Sequence, residues 1–86
     1  MEIKLDKKAQ KFIESQDRPT KQRIKKAING LTEEPPKGDI RMMQGYTDNR
    51  MRARVGKYRI VFRYINESVV ILHIMDIDSR GDIYKH

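Results

Sequence analysis

The chain has 86 residues, no cysteine, and nineteen Lys and Arg against twelve Asp and Glu, a formal charge of +7. That length allows one domain, residues 1–86, with a single modest core. The lack of cysteine excludes disulfides and Cys-based metal centres, and the charge favours a polyanionic partner, nucleic acid first. No stretch approaches the roughly 18 apolar residues of a membrane span, and Met1 to Asp6 lacks the apolar run of a signal peptide. A cytoplasmic protein without a membrane partner is therefore expected.

Glu2 to Leu5 alternates polar and apolar residues and predicts a short strand at or near a sheet edge. From Lys7 to Gln16, Ala9, Phe12, Ile13 and Gln16 share one helical stripe, with Asp6 placed to cap the start. Asp17, followed by Arg18, Pro19 and Thr20, predicts a second capped helix start, where proline's missing donor costs nothing. Ile24, Ala27, Ile28 and Leu31 then follow at helical spacing, so two helices form a hairpin. Pro35 and Pro36 end it. Asp39 to Asn49 carries weak signals and reads as a loop, with at most a brief extension over Ile40 to Met43 before Gly45.

Three strands follow as a meander, about 49–55, 57–65 and 68–75, joined by tight turns at Gly56-Lys57 and Asn66-Glu67. Val69, Val70, Ile71, Leu72 and Ile74 are apolar on both faces, which predicts a central strand. Asp76 to Asp82 reads as a turn, and Ile83-Tyr84 as a last short strand. Strand, helix, helix and then a run of strands predicts an α+β domain, with the helical hairpin packed on one face of a small antiparallel sheet. Tyr58, Ile60, Phe62 and Tyr64 then meet Phe12, Ile13, Ile24 and Ile28.

Strand alternation sorts residues 50–65 into cations and apolar side chains. Arg50, Arg52 and Arg54 share one face, and Met51, Ala53 and Val55 the other. Beyond the turn, Arg59 and Arg63 extend the same cationic face, with Arg80 and Tyr84 arriving from the tail. Residues 1–48 hold eleven cations, of which eight are lysine, whereas six of the eight cations in 49–86 are arginine. Arginine's rigid fork suits bidentate phosphate contacts. The expected surface is therefore a phosphate-binding one.

Several other residues carry weaker signals. His73 lies among apolar neighbours in a central strand, where a lone histidine is more often structural than catalytic. Asp76, Asp78 and Asp82 lack the further oxygen donors and closing glutamate of a calcium loop, so no metal is expected. Gly45 and Gly56 are turn residues rather than parts of a phosphate-binding loop.

Met43-Gln44-Gly45, the run from Arg52 to Phe62 (R-A-R-V-G-K-Y-R-I-V-F) and the tail Arg80-Gly81-Asp82-Ile83-Tyr84 appear in that order after a helical hairpin. In this the chain resembles the RelE branch of the RelE/ParE toxin superfamily along nearly its whole length. The resemblance implies a β-α-α-β-β-β-β domain of the RelE-like microbial ribonuclease fold. It also implies a toxin of a type II toxin–antitoxin system that cleaves messenger RNA in the ribosomal A site, held inactive by a separate antitoxin chain. Operator DNA would be met only through that antitoxin, and neither cofactor nor metal is implied.

The family's catalytic positions fall on Arg50, Arg52, Arg59, Arg80 and Tyr84. Ser79 stands where many relatives have histidine, and arginines stand at positions 50 and 52 where some carry lysine. Cleavage through the 2′-hydroxyl needs a base, stabilisation of a crowded phosphate and a proton for the leaving oxygen. Arg59 and Arg80 suit the second task, with Arg52 and Tyr84 completing the expected catalytic set. Arg50, Arg54, Lys57 and Arg63 are expected to bind RNA phosphates. Arginine stays protonated, so Tyr84 and Lys57 are the titratable candidates for the base; Tyr84 is equally suited to stacking on an RNA base. Two other readings use the same scaffold: a ParE-like gyrase inhibitor without nuclease chemistry, and an inactive scaffold that binds an antitoxin.

Overall fold

Alternating charged and apolar residues put strand β1 (Glu2–Leu5) at one edge of the sheet, as its length predicts. The computed structural model describes residues 1–79. Helices α1 (Lys7–Glu14) and α2 (Arg18–Gly30) follow as the expected hairpin. Asp17 caps α2, accepting from the Thr20 backbone N–H at 3.1 Å, and Pro19 occupies the first turn. Asp6 stands at the start of α1 but makes no capping bond. Its carboxylate is turned instead to His73, 2.8 Å away.

After α2 the chain forms β2 (Asp39–Met42), β3 (Met51–Val55), β4 (Tyr58–Asn66) and β5 (Val70–Ser79). Among the described residues these make one five-stranded sheet in the order β1-β5-β4-β3-β2. The last four strands are antiparallel, as expected, but β1 joins β5 in parallel, so the sheet is mixed. A parallel pair needs a long crossover, supplied here by the helical hairpin and the three strands after it.

The segment expected to be a loop yields β2, whose Ile40 packs half-buried against the core opposite Ala53. Its four residues alternate, but Met43 extends the apolar run and Gly45 breaks it at once, so the signal is brief within a loop-like stretch. Asn49, expected in the second strand, instead takes a left-handed turn with φ 60° before β3 begins. Gly56 occupies the first central position of the two-residue β3–β4 hairpin with φ 59°, which favours glycine at that place.

The largest departure is in β5. The expected turn at Asp76 is strand through Ser79, because its register with β4 slips by one residue between Val61 and Phe62. Phe62 pairs with Ile74 and Val61 with Asp76, leaving Met75 as the extra residue of a β-bulge. Beyond the bulge the alternation is reset, so Ile74 and Ile77 are both buried in the core. The last expected strand, Ile83-Tyr84, lies outside the described residues.

The core lies between the hairpin and one sheet face. Ile24, Leu31, Ile60, Phe62, Leu72 and Ile74 are fully enclosed, and Ala9, Ile13, Ile28 and Ala53 complete it. Phe12 is only half-buried and meets Tyr58 edge-on, 5.9 Å between ring centres. Tyr64 donates its hydroxyl proton to the Leu31 carbonyl at 2.8 Å, tying β4 to the end of α2. No described helix is long and apolar enough to cross a membrane. No described helix covers the opposite sheet face, which carries the arginines.

Candidate functional site

Cross-strand register builds this open face. Arg54 on β3 stands opposite Arg59 on β4, which stands opposite Asp78 on β5; Arg52 opposes Val61, which opposes Asp76. Arginines on the two middle strands are thus flanked by carboxylates on the outer ones. Arg59 forms a bidentate pair with Asp78, Nη2 to Oδ2 at 2.7 Å and Nε to Oδ1 at 3.2 Å. Arg52 donates to the Asp39 carbonyl at 3.0 Å and lies 3.5 Å from that residue's carboxylate, which also approaches Arg54 at 3.9 Å.

Arg50 precedes β3 and is held by the loop before it. Its guanidinium is bidentate to Asp48, at 2.8 and 3.1 Å, and lies 4.0 Å from the centre of the Tyr46 ring. The Arg50 hydrogen bond drives the Asp48 carboxyl from its ordinary value to about 2, and the Asp48 partner raises Arg50 in turn. The expected row of bare guanidinium groups is therefore a lattice of compensated ones. These pairs are partly buried rather than sealed in the core, so a polyanion can compete for the arginines while the carboxylates keep them in place.

Arg50 and Arg59 meet at a cleft of about 280 Å³. Val61 and Met75 form its floor, with Met43 and Tyr46 from the loop side and Asp6, Lys8 and Asp76 on the other. The remaining expected site residues are spread more widely. Arg52 is packed beside the cleft with its side chain 13% exposed. Arg54 lines a separate cleft of about 470 Å³ with Arg23 and Lys26 from α2. Lys57 sits on the hairpin turn with its ammonium 5.6 Å from the Tyr58 ring centre. Arg80 and Tyr84 lie outside the described residues.

Arg63, expected among the phosphate-binding cations, is paired with a histidine on the neighbouring strand. Its Nε–H donates to His73 Nδ1 at 3.1 Å, so the neutral imidazole carries its proton on Nε2 and donates it to Asp6 Oδ1 at 2.8 Å. His73 is buried, and this chain satisfies both of its ring nitrogens. The structural reading of His73 is the one this geometry favours.

Sequence reasoning missed Tyr46, Asp48, Asp76 and Asp78 as parts of the face. For the last two a signal existed: Asp76-Ile77-Asp78 alternates polar and apolar residues as a strand does, and pairing with β4 brings Asp78 opposite Arg59 and Asp76 opposite Val61. The Asp48-Arg50 spacing was also visible, but only the loop geometry turns it into a bidentate pair.

The family model described as "ParE toxin of type II toxin-antitoxin system, parDE" matches residues 3–84. No curated protein matches the chain significantly. Among solved structures, the chain is similar to that in the archaeal RelE-RelB complex from Pyrococcus horikoshii OT3, with 26% identity, a TM-score of 0.73, and 93% of this chain and 94% of that one covered. It is similar to the RelB-RelE antitoxin-toxin complex from Methanococcus jannaschii at 26% identity and TM-score 0.67, with 94% of each chain covered. The intact E. coli RelBE toxin-antitoxin complex shares the fold at 19% identity and TM-score 0.60, covering 91% of this chain and 94% of that one.

Proposed function

Since the chain belongs to the ParE toxin family and is a toxin of a type II toxin–antitoxin system, we propose that it acts as an endoribonuclease, cutting messenger RNA in the ribosomal A site. The observation that carries this reading is the pair of guanidinium groups, Arg50 and Arg59, converging on one cleft of the open sheet face. Likeness to RelE chains over more than nine tenths of the length supports it.

In this reading the phosphate of the scissile bond sits against Arg59, with Arg80 from the tail as a second donor to the charge that develops on the phosphorane. Asp78 holds the Arg59 fork in place before substrate arrives, and donors already aimed at developing charge need no reorganisation during the reaction. Arg52 and Arg50 grip the adjoining phosphates, and Arg54 and Lys57 extend the track. Tyr84 completes the site by stacking on a base or taking part in proton transfer. The ribosome presents the messenger in extended form, supplying orientation that a shallow cleft alone lacks.

The partner is an antitoxin, a separate acidic or amphipathic chain that covers the arginines. The similar chains in the Pyrococcus and Methanococcus structures are in complexes of RelE with RelB. Complementary charge favours an acidic segment on this face.

A second reading, gyrase inhibition without nuclease chemistry, is favoured by the family model, which is named for ParE. Primer extension on messenger RNA minutes after induction separates the two. Discrete cuts within codons, abolished in Arg59→Ala and Arg80→Ala, are expected, with single-donor losses of about 10²–10³-fold in rate. Intact messenger with DNA-damage signalling selects the gyrase reading, and intact messenger with normal growth selects a binding scaffold.

A further inference from the structure

Four carboxylates either line the cleft or pair with the arginines that do, and three of them are held by close partners. Asp48 is bidentate to Arg50, Asp78 is bidentate to Arg59, and Asp6 accepts from His73. The fourth, Asp76, lines the cleft, and its ion pair among the described residues is with the Lys8 ammonium at 3.5 Å. Lys8 is a solvent-exposed side chain from the first turn of α1, and a separation of that length leaves the carboxylate able to exchange partners.

Asp76 faces the cleft because of the bulge. Ile74 points into the core, so strict alternation would send Asp76 inward as well, and would turn Ile77 out towards solvent. The extra residue at Met75 reverses both outcomes, burying Ile77 and delivering Asp76 to the open face beside Val61. Bulges commonly re-aim a side chain next to a functional site.

We propose that Asp76 is the general base of the cleavage, which rests on the nuclease reading given above. The Asp76 carboxylate takes the proton of the 2′-hydroxyl. The 2′-oxygen then forms a bond to phosphorus as the bond from phosphorus to the 5′-oxygen breaks, and that oxygen takes a proton from water. The products are a 2′,3′-cyclic phosphate and a 5′-hydroxyl, with no oxidant, reductant or metal consumed. Among the described residues, the charged and titratable groups that line the cleft with Asp76 are Lys8 and Asp6 from α1 and its approach, Arg50 and Tyr46 from the loop side, and Arg59 from β4. Arg59 holds the scissile phosphate and Arg50 an adjoining one, while Lys8 stands 3.5 Å from the base.

The test is single-turnover cleavage of a programmed ribosome by the full chain between pH 6 and 8.5. A carboxylate is already deprotonated across that range, so the wild-type rate should be flat, whereas a tyrosine base or solvent hydroxide gives a tenfold rise per pH unit. Asp76→Asn should slow cleavage about 10²–10⁴-fold and convert the flat profile into a rising one. Asp76→Glu should recover part of the rate with a flat profile. Ribosome binding and the thermal midpoint of Asp76→Asn serve as controls for folding; should that variant fail to fold, the wild-type profile decides alone. A rising wild-type profile, or Asp76→Asn cutting at the wild-type rate, overturns the assignment while leaving the nuclease intact. Absence of any wild-type cleavage instead overturns the reading on which the assignment rests.

Discussion

Tyr64 and Asp48 show two opposite uses of a titratable side chain. Tyr64 sits half-buried under the end of α2, and burial, then the nearby Glu34 charge, raises its phenol above the ordinary value. A raised value means that the folded state holds the proton more tightly. The resulting stability is complete below about pH 10 and is lost as pH rises through the higher folded value. Tyr64→Phe, which leaves the Leu31 carbonyl without this donor, should cost about 1 kcal/mol at pH 7 and reduce the alkaline loss, as read by urea unfolding at pH 7 and above pH 10. Asp48 has the reverse sign. Its carboxyl is lowered to about 2 by Arg50, so the stability it contributes is complete above about pH 4 and disappears as pH falls through about 2. Carbon-detected NMR should place the Asp48 midpoint near 2, and Arg50→Ala should return it to the ordinary carboxylate range.

At the level of elements, the packing of α2 on the sheet is set by Ile24, which has no exposed surface. Ile24→Ala should cost about 2–5 kcal/mol, a large part of what so small a domain possesses, and equilibrium urea unfolding would measure it. Gly56→Val should also destabilise, because a β-branched residue is strained at φ 59°. Both helices, their apolar stripes and the β3–β4 hairpin were legible in the sequence, since each spans enough residues for a period to appear. β2 was not, because its brief alternation sits inside a loop-like stretch and its place depends on pairing with β3. The bulge was hidden for a different reason: Asp76 to Ser79 looks like a polar turn until the partner strand shows that Ile77 is a core residue. The candidate site was legible as cations and illegible as ion pairs, since the Arg59–Asp78 and Arg52–Asp39 pairings arise only from register.

Considered as a whole molecule, the chain carries its charge of +7 on both of its broad sides. The sheet face holds the compensated arginines, while α2 carries Arg18, Lys21, Arg23, Lys25 and Lys26 without a single carboxylate. Polyanion binding should therefore weaken steeply with salt. Filter binding to single-stranded RNA between 50 and 200 mM salt should show a linear log–log dependence, with the slope reduced by about 0.7 for each phosphate that Arg50→Ala or Arg54→Ala leaves without its cation. The parallel pairing of β1 with β5 has a consequence for synthesis. Glu2 to Leu5 are translated well before Ile71 to Ile74, on which they dock. Lys8, which reaches the cleft from α1, follows directly from that docked strand. A growing chain therefore cannot close its sheet until β5 has been made. Under the proposed function, this order of synthesis protects the ribosome that is making the toxin: the nascent chain lacks an assembled weapon until β5 has emerged.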